Sequence, residues 1–254
     1  MPFIQSARGG RLHYAERGEP RSDAAPALLV HGAGASSAIW MMVMARLARA
    51  ARAVAIDLPG HGPSPLPEAG VAALGLEAYR DAVGLLAGTL CLGPSLLVGH
   101  SMGALVALEA ALAWPDKVRG LVLCAAAPRL PVRDELLALL RDGPARVPAW
   151  RAERALSPRA RPAVRRGFVA AGLVAPPEVM LADFEAVRAA DLRERVGGVK
   201  CPVLWLDGAD DALVGAAGER PGEVRRLEAV GHLVPIEAPE AVAAGVAHLR
   251  ASTR

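Results

Sequence analysis

Residues 99–103 read Gly-His-Ser-Met-Gly, a Gly-x-Ser-x-Gly run between the apolar stretch LLVG and the Ala/Leu-rich stretch MGALVALEAALAW. A serine hydroxyl is a poor nucleophile at neutral pH. Ser101 therefore needs a base within hydrogen-bond reach, an acid to orient that base, and donors for the oxyanion that forms. A strand turning sharply into a helix meets part of this demand. The turn lifts the serine above the sheet, its neighbours two residues away must be small, and the helix N-terminus with the N–H of Met102 faces the developing charge.

Six histidines compete for the role of base. His232, in EAVGHLVPIEAPE, follows the strand-like VRRLEA and precedes the last helical stretch. That order puts it in a loop at the C-terminal edge of a sheet, where open α/β sheets bind ligands. His13 and His248 read as partly exposed structural residues, in an early strand and late in the final helix. His31 and His61, each followed by glycine, read as loop-shaping residues. His100 adjoins Ser101 and is expected to point the wrong way for proton transfer. For the acid, LDGADDALV offers Asp207, Asp210 and Asp211. A loop carboxylate there can reach the histidine's second nitrogen, whereas Asp207 reads as a strand end and Asp210 as a competing solvated turn residue.

Positioning these groups requires a sheet, and the chain alternates short apolar runs with longer helical patterns, as a parallel sheet covered on both faces does. RLHYAER, ALLVHG, RAVAID, LLVG, VRGLVLC, CPVLWLDG and VRRLEA read as strands. Ser36 or Ser37 caps a helix to about Ala50, Leu74–Leu90 and Met102–Trp114 read as helices, and APEAVAAGVAHLR closes the chain as another. Residues 129–198 break the rhythm, with helical patterns interrupted by prolines and no strand. The expected organisation is an α/β core of residues 1–128 and 199–254, with 129–198 inserted as a helical lid over the strand ends. Leu136, Trp150 and Phe168 from that insertion, with Leu233 beside His232, are the candidate substrate pocket.

The 254 residues are 53% hydrophobic and 22% charged, enough to bury the core of one large α/β domain. The net charge of +3 rests on arginine, with Lys117 and Lys200 the only lysines. No basic arm with interleaved aromatics suggests nucleic acid. Cys91, Cys124 and Cys201 lack metal-ligand spacing, so they read as reduced thiols, and neither metal nor cofactor is expected. The N-terminal MPFIQSARGGRLHY lacks a charged-then-apolar export arrangement, so a cytoplasmic protein, monomeric or dimeric, is expected. The uncharged stretch 82–108 reaches membrane-span length but is broken at Gly93-Pro94-Ser95 and Gly99-His100-Ser101, so no span is expected.

Taken in order, His31-Gly32, DLPGHGPS, GHSMGA, WPDKVRGLVL, GADDALV and GHLVPIEAPE resemble the serine hydrolases of the α/β-hydrolase superfamily, in its small lid-bearing, esterase-like branch. The resemblance covers nearly the whole chain. It implies Ser101 as nucleophile, Asp211 as acid in the Gly-x-x-Asp position after Gly208, His232 as base, and the backbone N–H groups of Ala33 and Met102 as the oxyanion hole. Gly215 stands where the family often has proline, and 214–221 is short for the helix usually found there. Serine rather than aspartate at position 101 argues against the halide-displacing and epoxide-opening relatives. Cyanohydrin-lyase relatives carry lysine after the catalytic histidine, where Leu233 stands here. Ring-fission relatives favour asparagine before the serine and tryptophan after the histidine.

Hydrolysis of a small carboxylic ester is the implied reaction, with thioester, lactone and C–C bond hydrolysis as alternatives. A relative of another kind keeps the triad yet serves as a small-ligand signalling receptor. Such a receptor turns over activated esters barely or only once. The ten arginines between Arg129 and Arg166 allow either a solvated lid surface or a landing site for an anionic substrate.

Overall fold

The apolar runs ALLV, AVAI and SLLVGH form the middle of the sheet, and every residue in them is buried. Parallel strands covered on both faces need such continuous apolar runs rather than strict alternation. A computed structural model describes residues 2–5, 10–21, 24–214 and 220–252. Within them lie strands β1 (Phe3–Gln5), β2 (Arg11–Arg17), β3 (Ala27–Val30), β4 (Ala53–Ile56), β5 (Ser95–His100), β6 (Val118–Cys124), β7 (Val203–Gly208) and β8 (Glu223–Leu227). They form one eight-stranded sheet in the order β1-β2-β4-β3-β5-β6-β7-β8. β2 runs antiparallel to both β1 and β4, and all other pairings are parallel.

Helices α1 (Met41–Leu47), α2 (Leu76–Thr89), α3 (Met102–Ala113), α4 (Asp134–Asp142), α5 (Val147–Ala155), α6 (Pro162–Ala170), α7 (Pro177–Ala189), α8 (Val234–Glu237) and α9 (Pro239–Ser252) complete the described fold. Successive side chains of each strand serve opposite faces. Leu28, Val30 and Leu97 pack with Tyr79, Val83 and Leu86 of α2 and Leu105 of α3. Leu29, Leu96 and Val98 pack with Val43 and Leu47 of α1 and Val242 and Val246 of α9. Burying one such side chain contributes about 1.5–3 kcal/mol. From Met102 to Ala111 helix α3 is buried on every side, which matches a sequence apolar but for Glu109, whose carboxylate pairs with Arg195.

Between β6 and β7 the chain makes only helices and turns, α4 to α7. Several prolines that look like breaks in sequence are helix starts: Pro148, Pro162 and Pro177 stand in the first turns of α5, α6 and α7. There the missing N–H costs nothing and the fixed φ suits the helix. Leu136, Leu140, Val147, Trp150, Val179 and Met180 give this segment a small core of its own.

The structure departs from the sequence reading at several points. The β1 strand and the one-turn helix α8 carry too little periodicity to be read. After Ser36 the chain makes a 3-10 turn, Ser37–Trp40, and α1 ends at Leu47 rather than near Ala50. His13 is buried, not partly exposed, because its Nδ1 pairs with the fully buried Asp57. The expectation about Gly215 and the short 214–221 segment falls largely on residues 215–219, which lie outside the described residues. No helix among the described residues is long and apolar enough to cross a membrane. Cys91, Cys124 and Cys201 are free thiols.

Candidate active site

Ser101 joins β5 directly to α3 with φ 53° and ψ −118°, a conformation that costs a non-glycine residue on the order of 1–3 kcal/mol. Its N–H donates to the carbonyl of Cys124 on β6 at 3.0 Å, which anchors the turn to the sheet. Close approach dictates the flanking glycines. A Cβ at Gly103 would lie 2.2 Å from the carbonyl oxygen of Val30, and one at Gly99 would lie 2.5 Å from Ala104 Cα. Both neighbours are backbone, so neither can yield cheaply.

His232 follows β8, and its Nδ1 meets Oδ2 of Asp211 at 2.9 Å. The other oxygen of Asp211 accepts the N–H groups of Leu213 at 2.8 Å and Val214 at 3.1 Å. Burial pushes this carboxyl upward. The bonds from His232, Val214 and Leu213, with the charge of His232, outweigh burial and hold it below its ordinary value. Asp211 is therefore ionised and presents an acceptor to the imidazole. The two loops press together closely: a Cβ at Gly208 would lie 2.1 Å from the carbonyl oxygen of Gly231. The competing carboxylates are engaged elsewhere. Asp210 accepts from Ser157 Oγ at 2.6 Å, and Asp207 pairs with Arg220. Asp210 is thus a fixed acceptor rather than the solvated turn residue expected from sequence.

His100 does more than adjoin the serine. Its Nε2 donates to the carbonyl of His232 at 2.9 Å, and its ring lines the same cleft as Ser101 and His232. Burial, then the nearby charge of His232, lowers His100 to about 3, so it stays neutral and positions His232 through its backbone. Nothing in the sequence signals a contact across 132 residues.

The loop after β3 is held by a buried carboxylate from α7. Asp183 accepts from Tyr79 Oη at 2.5 Å, His61 Nε2 at 2.8 Å and the N–H of Gly34 at 2.9 Å. Burial alone would lower His61. The hydrogen bond and charge of Asp183 outweigh it and raise His61 above its ordinary 6.5, while burial and the charge of His61 drive His31 well below. His31 instead accepts the N–H of Leu58 at its Nε2. A raised histidine contributes stability that is full below its unfolded value and is lost as pH rises through the folded one. Asp183→Ala should destabilise the chain by about 3–5 kcal/mol at pH 6. In urea unfolding, the gap from wild type should narrow at pH values above the raised His61 value. An equal gap at pH 6 and pH 9 would show that His61 carries no charge in the fold.

Ser101, His232 and Ala33 face one cleft with about 400 Å³ of atom-free space, part of it open to solvent. Leu136 of α4, Trp150 of α5, Phe184 of α7 and Leu213 supply its apolar walls. Leu136 and Trp150 were candidates from sequence, whereas Phe184 and Leu213 were missed, having nothing but apolar character to mark them. Phe168 and Leu233 do not line the cleft. They pack with Ala152, Ala155 and Leu156, because α6 lies along α5 and the backbone N–H of Leu233 is tied to the carbonyl of Ala155. Met102 is fully buried at the first turn of α3. Among the described residues, no group of histidines, cysteines and carboxylates is arranged to hold a metal ion.

The profile of the alpha/beta hydrolase family matches residues 27–245. A pimeloyl-[acyl-carrier protein] methyl ester esterase from Neisseria meningitidis is 31% identical over 200 residues, 73% of this chain and 75% of that protein. A 2-(acetamidomethylene)succinate hydrolase from Mesorhizobium japonicum is 40% identical over 95 residues, 37% of this chain but only 33% of its own length. Among solved structures, a thermophilic esterase from Thermogutta terrifontis superposes over 100% of both chains with TM-score 0.85 and 26% identity. With the family profile spanning most of the sequence and the eight-stranded sheet flanked by helices, this chain belongs to the alpha/beta hydrolase family.

Proposed function

We propose that the chain is a serine hydrolase of small carboxylic esters that works through an acyl-enzyme. One observation carries the reading: the imidazole of His232, held at 2.9 Å by ionised Asp211, lines the same cleft as Ser101 on its strained turn. In this mechanism Nε2 of His232 takes the proton of Ser101 Oγ as that oxygen bonds to the ester carbonyl carbon. The resulting oxyanion is met by the N–H groups of Ala33 and Met102. Collapse breaks the bond to the alcohol, which leaves with the proton from His232. Water, deprotonated by the same imidazole, then releases the acid. Asp211 keeps the proton on Nδ1 and stabilises the imidazolium.

In this reading residues 129–198 act as a cap on a core of 1–128 and 199–254. Closing such a roof excludes water and holds the acyl chain, while the bonds are made by residues outside it. The esterase relatives named above support an ester substrate, with thioester, lactone and C–C substrates as the alternatives. The test is a time course with 4-nitrophenyl esters, in which one burst equivalent per chain followed by steady turnover is expected. An alkyl phosphonofluoridate should label Ser101 in the peptide map. A single turnover would favour the receptor alternative, and a label on another residue would overturn the assignment.

The cleft walls also predict chain-length selectivity. Trp150→Ala should change the preference for hexanoyl over acetyl ester by the roughly 1–3 kcal/mol that a lost pocket contact allows. The ratio of kcat/KM values for the two esters reads this directly. An unchanged ratio would place the acyl chain elsewhere.

A further inference from the structure

The arginines of the inserted segment do not share one fate. Arg141, Arg154 and Arg159 sit at the surface beside carboxylates. Arg133 and Arg165 donate to backbone carbonyls, of Ala212 and of Ser157. Arg133 borders the outer part of the cleft with its guanidinium held by Ala212 at 2.8 Å, whereas Arg151 lines the part formed by Gly32, His100, Ser101 and His232. We infer that Arg151 is a substrate-recognition residue that binds a carboxylate on the acyl half of a short ester, such as a hemi-ester of a small dicarboxylic acid. This inference rests on the serine-hydrolase reading of the same cleft.

Three observations carry it. First, the guanidinium has no ionic partner inside the protein: its hydrogen bond is a long one, 3.4 Å from Nη2 to the carbonyl of Ala33, and its other neighbour is the ring face of Phe168, 5.6 Å from Cζ to the centroid. Among the described residues no carboxylate forms an ion pair with it. The carboxylate that acts on it most, Asp183, has its oxygens engaged by Tyr79, His61 and Gly34. Secondly, it is largely withdrawn from water, and burial lowers it only to about 10, so it remains a cation at neutral pH. A desolvated cation without a counter-ion is costly, and a ligand carboxylate taking two parallel N–H bonds removes that cost. Thirdly, acyl transfer needs the serine, the histidine, the acid and the oxyanion donors, and none of these roles falls to a guanidinium. Arg151 follows Trp150 on α5, so the charge stands next to the wall assigned to the acyl chain.

The test compares kcat/KM for ethyl valerate and monoethyl glutarate, esters of similar length that differ by a terminal carboxylate, followed by proton release. Wild type should prefer monoethyl glutarate by about tenfold or more. Arg151→Met should lower the charged-to-neutral ratio by about 30-fold, whatever loss both substrates share, and Arg151→Lys should restore part of it. No preference in wild type would overturn the inference. So would equal losses on both esters in Arg151→Met, which would leave the guanidinium only the task of holding the Ala33 loop. If Arg151→Met fails to fold, inhibition of wild type decides, with free glutarate expected to compete about tenfold more strongly than valerate and equal inhibition overturning the site. If wild type hydrolyses neither ester, the serine-hydrolase reading falls separately. Calorimetry with glutarate then judges the carboxylate site, which requires measurable binding to wild type that weakens in Arg151→Lys.

Discussion

Ser101→Ala should lower kcat for an activated ester by about 10⁴-fold or more while the protein keeps its melting temperature. The loss is large because no other nucleophile in the cleft is paired with a base: the imidazole of His232 would face a methyl group and be left to activate water without covalent capture. The fold should survive because alanine fits the space and the anchoring bond from residue 101 to Cys124 is made by the backbone N–H. The positive φ at this position strains alanine as it strains serine, so the variant relieves nothing and adds nothing. Steady-state assays with 4-nitrophenyl butyrate, beside thermal unfolding of the same samples, check both halves. Near-normal turnover in folded Ser101→Ala would remove the serine from the mechanism.

The second large effect is expected at Asp211. Asp211→Asn should cost about 10⁴-fold in kcat, the scale seen when a triad histidine is left in the wrong tautomer. An asparagine has an amide able to donate toward Nδ1 of His232, which shifts the ring proton to Nε2, the nitrogen that must accept from Ser101. Its carbonyl oxygen, directed to Leu213 and Val214, preserves the loop, so the loss is chemical and not conformational. Asp210→Asn should cost far less, since that carboxylate serves Ser157 and its neutral amide can keep an oxygen in place. Measuring kcat for both variants at neutral pH separates them. Should Asp210→Asn be the crippling change, the acid is one residue away from where the geometry puts it.

Much of the sheet was legible because buried parallel strands advertise themselves. ALLV, AVAI and SLLVGH leave no polar alternation to confuse, and each is bounded by turn residues or a helical pattern. The segment 129–198 was legible only as helical. Its prolines read as interruptions, since sequence spacing does not distinguish a proline that ends one helix from one that begins the next. The strand β1 is three residues long and could not be separated from loop by periodicity.

The candidate site divides along a similar line. Local chemistry determined the first glycine of the Gly-x-Ser-x-Gly turn, because a strand and a helix that meet within one residue leave no room for a Cβ at Gly99, 2.5 Å from Ala104 Cα, whereas Gly103 is required by the β3 backbone at Val30. Order along the chain determined that His232 and the LDGADD loop end on the same sheet edge. The partners of these groups belong to tertiary structure alone. Which carboxylate faces the imidazole, that His100 holds His232 by its carbonyl, that Asp183 ties α7 to Gly34, and that Arg151 enters the cleft while Arg133 at its border is tied to Ala212 all depend on contacts between residues far apart in the chain. Periodicity and propensity describe which face of an element is apolar. They carry no information about which polar atom on another element will stand opposite, because that is decided by how the helices of the inserted segment pack over the strand ends.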